Sequence, residues 1–363
     1  MGMNAKSIYQ WADERLGLSE LIAFASHKRV PVHKHALWYY WGGVTLFLFI
    51  VQCLTGVLLM VYYRPGPDAY ESVRQISSTM HFGWLIRSIH SWSANLMIFS
   101  AMVHMFSVFF MKAYRRPREL GWLSGLALLG LATVFGFSGY LLPMDELSYF
   151  ATKVGLEIPS SLPLVGEALA SMLRGGPEVG EFTVQRFFAL HVVVLPAIFV
   201  PLLGFHLWLV QKHGNAAPPS YNALPETEKK SEPFFPNFFR KDLAMWILTL
   251  NVLALLAAIF PWTLGAQADP LKSAPAGIHP EWYFMSPFEL LKMLGVVFSG
   301  PLAAYGEFAG MFLFTLAIVL WLLVPFYDNS TESGRHGRIA HAFGLLIIVA
   351  LLATTVVGYW TIR

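Results

Sequence analysis

Apolar residues gather in seven long runs, 40–63, 84–111, 121–142, 184–211, 243–265, 308–328 and 340–361, separated by stretches carrying charge, proline and glycine. An α-helix rises 1.5 Å per residue, so about 20 mainly apolar residues carry the backbone across a bilayer core. The pattern predicts seven spans. Two connections, 143–183 and 266–307, are too long for simple turns and hold short apolar stretches unable to span; long ordered loops on one face usually cover a site. The stretch 214–232 (GNAAPPSYNALPETEKKSE) is polar and proline-rich and reads as a linker dividing four spans from three. No repeat at a fixed short period is present.

Composition sharpens this reading. The chain is 56% hydrophobic and 13% charged, with mean hydropathy +0.53, where a soluble protein carries about 25% charged residues. A net charge of +3, with no basic tract interleaved with aromatics, excludes nucleic acid as a partner. The N-terminus, MGMNAKSIYQWADERLG, is polar and mixed in charge and predicts no cleavable signal. The single cysteine, Cys53, excludes an internal disulfide, a Cys-x-x-Cys-His haem attachment and a cysteine-ligated iron–sulfur cluster, so any such centre sits on a partner. Sixteen of the 25 Lys and Arg residues fall on one side of the spans: Lys6, Arg15, Lys28, Arg29, Lys34; Lys112, Arg115, Arg116, Arg118; Lys212, Lys229, Lys230, Arg240, Lys241; Arg335, Arg338. The positive side is the cytoplasmic side. The N-terminus is expected there, and both long connections on the outer face.

Four of the 12 histidines lie well inside spans: His90 and His104 in the second, 14 apart, His191 and His206 in the fourth, 15 apart. At 100° per residue each pair falls on one broad face, about 21–22 Å apart along the axis. One helix intervenes, so both spans run the same way. His90 is then level with His191 near the outer surface, and His104 with His206 near the inner one. An intramembrane histidine taken alone is more often a structural hydrogen-bonder. Four at matching depths, in costly intramembrane positions, point instead to ligation. Structural zinc uses four close ligands, whereas two axial imidazoles per iron suit b-type haem. Two non-covalent haems follow as the expected cofactors.

Gly42 and Gly56 in span one are 14 apart, as are Gly125 and Gly139 in span three. A flat macrocycle needs bare backbone where a helix crosses its face; close packing by small residues is the alternative. Arg87 and Arg186, at the outer ends of the histidine-bearing spans, are placed either to neutralise haem propionates or to act as interfacial anchors.

Here a resemblance enters. The stretches FGWLIRSIHSWSANLMIFSAMVHMF, GFSGYLLPMDELSYFATK and RFFALH, and above all Pro280-Glu281-Trp282-Tyr283, resemble cytochrome b of quinol–cytochrome c reductases across almost the whole chain. The 15-residue spacing in span four and seven spans rather than eight are similar to the b6f branch, as a fusion of cytochrome b6 (residues 1–225) with subunit IV (226–363). The implied architecture is all-α and integral to the membrane: a four-helix di-haem bundle followed by three further spans.

The resemblance implies bifurcated quinol oxidation at the outer face, electron transfer through two b haems, quinone reduction at the inner face and proton translocation. Glu281 is the implied proton acceptor, since burial raises a carboxyl pKa towards neutrality; a helix-start carboxylate is its ordinary alternative. Tyr283 and Tyr140 are implied neighbours of the quinol, and Asp145 a member of the proton exit. Lys241-Asp242 is similar to the pair serving the inner quinone site, a charge pair opening a helix at the interface being its ordinary alternative; Lys212 and His213 lie just past the inner haem ligand. Implied partners are a Rieske iron–sulfur protein, a c-type cytochrome or plastocyanin-like acceptor, quinone, lipids and a second copy of the complex, in a bacterial cytoplasmic (inner) membrane. The b6 branch attaches a further haem through a cysteine where this chain has Tyr40. Cys53 lies 13 residues on, roughly 20 Å deeper, so no covalent haem is expected and Cys53 reads as a small buried hydrophobe. Met144 stands where the family carries Trp. Two other readings remain: a di-haem anchor relaying electrons for a dehydrogenase or hydrogenase, which gives no reason for PEWY, and a proton-carrying transporter, which needs broken helices or midplane acids.

Overall fold

A computed structural model describes residues 5–160, 165–275, 277–298, 303–328 and 335–361. Two short helices, α1 (Ala5–Leu16) and α2 (Leu18–His27), precede strand β1 (Arg29–Pro31). Then come α3 (Tyr40–Met60), α4 (Ala69–Ser78), α5 (Gly83–Phe110), α6 (Glu119–Tyr140), α7 (Glu146–Ser160), α8 (Gly166–Arg174) and α9 (Glu181–Ala189). A π-turn, Leu190–Val194, runs α9 into α10 (Leu195–His213), followed by α11 (Pro219–Asn222), strand β2 (Ser231–Pro233) and α12 (Phe239–Ile259). The chain closes with α13 (Trp282–Val297), α14 (Ala303–Leu322), α15 (Val324–Tyr327) and α16 (Arg335–Thr361).

Among the described residues six helical stretches are long and apolar enough to cross a membrane: Ala36–Met60, Gly83–Phe110, Glu119–Tyr140, Glu181–His213, Phe234–Ile259 and Gly337–Thr361; Phe308–Leu322 is a shorter seventh. Their outer faces are apolar and open, as at Leu54, Val193, Leu346 and Val349, which suits a lipid surround. Two spans end six residues short of their apolar runs. Span five stops at Ile259 rather than 265, because Phe260 precedes Pro261 and leaves the helical region at φ −121°, ψ 67°. Span six stops at Leu322, and the next turn, α15, is built around Pro325.

In the bundle α3 packs on α5 and α6 on α10. Between them lies a core slab of Val44, Leu48, Met97, Ile98, Leu128, Ala132, Phe199 and Leu253. Each side chain from the first four spans falls between that span's two marked glycines or histidines, so the slab separates an upper from a lower level. A second core, including Leu141, Tyr149, Phe150, Val184 and Phe187, holds α7 over the ends of α6 and α9. The two long connections are stitched together by Glu146 N–H to Ala266 O (2.8 Å) and Ala268 N–H to Met144 O (3.2 Å). At the opposite end β1 pairs antiparallel with β2, Val30 opposite Glu232, tying the linker to the N-terminal segment. There the fully buried Asp328 binds Lys112 Nζ (2.9 Å) and Arg115 Nη2 (2.7 Å) and accepts from Tyr114 Oη. That cluster locks the end of α5 to the α15–α16 corner.

Candidate functional site

The two histidine-bearing spans bring the outer imidazoles opposite one another. The rings of His90 and His191 face each other with centroids 6.5 Å apart and planes at 72°. Two metal–imidazole bonds of about 2.0–2.1 Å, with half a ring added at each end, span about that distance. The spacing suits one metal ion held axially. Among the described residues no three His, Cys, Asp or Glu side chains cluster as a metal site, so ligation would have to come from pairs.

Each of the four histidines meets one of the four glycines. A Cβ at Gly56 would lie 3.3 Å from His90 Cε1, at Gly139 2.8 Å from His191 Cε1, at Gly42 3.0 Å from His104 Cε1, and at Gly125 3.2 Å from His206 Cε1. Bare backbone thus lies against every imidazole, in two levels, most tightly at Gly139. The residue before the glycine completes three of these contacts. Thr55 Oγ1 lies 2.9 Å from His90 Nδ1, Ser138 Oγ 3.0 Å from His191 Nδ1, and Ser124 Oγ 2.9 Å from His206 Nδ1. With Nδ1 engaged, Nε2 is the nitrogen left for a metal. At the fourth position Trp41 precedes Gly42, and the buried His104 Nδ1 has no partner among the described residues. The hydroxyl–glycine dipeptides Thr55-Gly56, Ser124-Gly125 and Ser138-Gly139 are the sequence signal of these contacts.

The unequal spacing, 14 against 15, is resolved by the π-turn around His191. A π-turn inserts one extra residue into an α-helix, so His191 and His206 return to one face as 14 residues would bring them. Pro196 gives a cause: it donates no hydrogen bond, and its ring conflicts with the carbonyl four residues back, at Val192.

The outer candidates divide. Glu281 sits at the N-cap of α13 with no side-chain capping bond, so its carboxylate is not used in starting the helix. Burial raises its pKa, offset by the nearby His279. The Tyr283 phenol is held protonated by burial and by the nearby Glu281 carboxylate, and it packs against Gly136. The Glu281 charge also acts on Tyr140 and Tyr359. Trp282 Nε1 anchors the tetrapeptide to Asn95 Oδ1 at 2.8 Å. Asp145 is committed elsewhere: its oxygens accept from Ser148 N–H (3.0 Å) and Gly265 N–H (3.1 Å), which makes it a clamp between the two outer connections. Met144, at φ 52°, lines a small cavity of about 90 Å³ with Tyr70 and Gln267. Arg87 spends its guanidinium on the carbonyls of Trp262 (2.6 Å) and Thr263 (3.3 Å). Arg186 donates to the carbonyls of Ser171 and Met172.

At the inner level Lys241 and Asp242 do not pair. Lys241 Nζ binds Glu232 at 2.7 Å, while Asp242 turns against Gly43, its buried Oδ1 without a partner among the described residues. Trp246 Nε1, one turn on, is likewise buried and unpartnered there. Lys212 stacks on Trp208 at 5.0 Å, and the His213 carbonyl accepts from Arg118 at 2.8 Å. Tyr40 is buried and stacks on Phe238 at 4.9 Å. Cys53 is exposed on its span rather than buried, a correction: its side of α3 faces lipid, not the core.

Comparison with known proteins follows the same outline. Residues 95–267 match the family described as cytochrome b(N-terminal)/b6/petB, and 267–362 that described as cytochrome b(C-terminal)/b6/petD. A cytochrome bc complex cytochrome b subunit of Chlorobaculum thiosulfatiphilum is 48% identical over 347 residues, 95% of this chain and 79% of that protein. Cytochrome b6 of Synechococcus sp. (strain JA-3-3Ab) is 40% identical over 212 residues, 58% of this chain and 98% of that protein. A solved chain of a hyperthermophilic respiratory Complex III superposes with TM-score 0.82 at 29% identity, covering 96% of this chain and 90% of that one.

Proposed function

This chain belongs to the cytochrome b family of bc- and b6f-type complexes, and from that premise we propose that it oxidises quinol at its outer face and returns electrons to quinone at its inner face, translocating protons. The observation carrying this reading is the fourfold contact of imidazole with bare glycine backbone in two levels. His90 and His191 would hold one haem b, His104 and His206 the other. Bound there, haem supplies reversible one-electron carriage across a low-dielectric layer.

The chain's own residues do the rest. Glu281, half-buried and free of capping duty, takes a proton from the quinol. The Tyr283 and Tyr140 phenols offer hydrogen bonds that orient the quinol ring, and Asp145 holds the two outer connections over them. Asp242 delivers a proton to quinone at the inner face, with Lys241 drawn aside by Glu232. Arg87 and Arg186 fix the outer ends of the ligand helices. One electron of each quinol leaves to a Rieske iron–sulfur partner and on to a c-type cytochrome or plastocyanin-like acceptor. Residues 1–225 form the di-haem part and 226–363 the part bearing the tetrapeptide, in a dimeric complex of the bacterial cytoplasmic membrane, N-terminus inside.

The test is decylquinol oxidation by the purified complex with Glu281→Gln. Loss of a positioned base costs about 10²-fold or more. Wild-type rate should rise with pH through a limb displaced upward from the ordinary carboxylate range, because the raised pKa keeps Glu281 protonated, and unable to accept, to higher pH. The Gln variant should lack that limb. An unchanged rate and profile would remove Glu281 from the mechanism.

A further inference from the structure

Where α5 ends and α16 begins, a cavity of about 340 Å³ opens between Lys112 and Arg115 on one wall and Arg338, His341, Ala342 and Leu345 on the other. We propose that it seats the headgroup of an anionic phospholipid. Charge points to the headgroup. Lys112 and Arg115, with side chains 9% and 13% exposed, share the single carboxylate of Asp328, so among the described residues two cations meet one anion and one positive charge is left over in a poorly hydrated place. Such a charge attracts an anion far more strongly than one in open water. Arg338 adds a second: it is exposed, with no hydrogen bond or ion pair among the described residues. Both Arg338 and His341 lie in the first two turns of α16 (Arg335–Thr361), where the helix dipole also favours an anion.

Lipid rather than a free ion is favoured by the remaining wall. Ala342 and Leu345 belong to a membrane-spanning helix, and beyond them Leu345, Leu346 and Val349 stand 49%, 64% and 62% exposed. The apolar floor thus continues into a face that acyl chains can follow. Basic pockets between spans at a membrane surface recognise such headgroups.

The experiment uses the complete complex in phosphatidylcholine vesicles containing diazirine-bearing phosphatidylglycerol, photolysed and mapped by peptide mass spectrometry. Label should appear on the peptide carrying Ala342 and Leu345, and phosphatidylglycerol should compete for it better than phosphatidylcholine. Arg338→Gln should cut the label about five-fold, the worth of one basic residue against an anionic lipid, with Arg338→Lys retaining it. Arg338 makes no other hydrogen bond or ion pair among the described residues, and His341→Gln serves as a second variant, with a smaller loss expected. Equal competition by both lipids, label indifferent to Arg338→Gln, or displacement by inorganic phosphate as effective as by phosphatidylglycerol would each overturn the assignment.

Discussion

Three hydroxyls, Thr55, Ser124 and Ser138, each one residue before a glycine, reach the Nδ1 of a histidine. If Nε2 holds iron, Nδ1 carries the proton and the hydroxyl accepts it, lending the imidazole anionic character and favouring the oxidised metal. Ser138→Ala should therefore raise the midpoint potential of the outer haem in a redox titration and leave the inner one in place; an unmoved potential would reduce the contact to packing. Gly139→Val meets His191 directly, since even its Cβ falls 2.8 Å from Cε1. That variant should retain one haem of the two by pyridine haemochrome assay. The histidines and glycines were legible because period and depth are written in their spacing. The hydroxyls lay in the same stretches, but a serine inside a span also satisfies its own helix, as Ser138 does towards Phe135 O at 3.1 Å, so its second contact is visible only in three dimensions. Lys241 and Asp242 part at the inner level because consecutive helical residues point about 100° apart, so adjacency in sequence separates their heads.

At the scale of elements, apolar run length located the seven helices, and proline placed the ends that length alone missed, at Pro261 and Pro325. The π-turn was written as an anomaly, the fifteenth residue between His191 and His206, whose cause is the local geometry before Pro196. What run length could not show is how the corners are fastened. Asp328, the last residue of the sixth apolar run, is fully buried beneath Lys112, Arg115 and Tyr114. Burial alone would raise its pKa; hydrogen bonds from Tyr114, Lys112 and Arg115 outweigh that and hold it below the ordinary carboxylate range. Its contribution to stability is thus full above the unfolded carboxyl pKa and lost as pH falls through the lowered folded value. Asp328→Asn leaves two buried cations without their anion and should destabilise by about 3–5 kcal/mol. Thermal loss of the native spectrum at neutral pH measures this, and a melting curve matching wild type would show the corner to be held by its aromatic packing instead.

For the whole molecule, the question is whether the linker at 214–232 is needed once the parts have met. Synechococcus cytochrome b6 matches over 98% of its length while spanning 58% of this chain, so the first four spans correspond to a complete polypeptide elsewhere. The contacts crossing the division are extensive. α12 packs on α3 and α5, α16 on α5, and α14 on α6; Trp122 Nε1 bonds Trp321 O at 3.0 Å, and β1 pairs with β2 across the divide. By contrast Glu226–Glu228 is a single exposed 3₁₀ turn with no buried residue. A covalent link between surfaces already so complementary contributes effective concentration rather than structure. Co-expressed segments 1–225 and 226–363 should copurify from membranes, show the same two-haem spectrum and oxidise quinol at near the intact rate. Segment 1–225 alone should keep both histidine pairs and so bind haem, but fail to turn over quinol, because Glu281 and the clamp partner of Asp145 lie in the other piece. If the two segments do not associate, or associate without haem, then the linker directs assembly, and the two-part description of the chain fails with it.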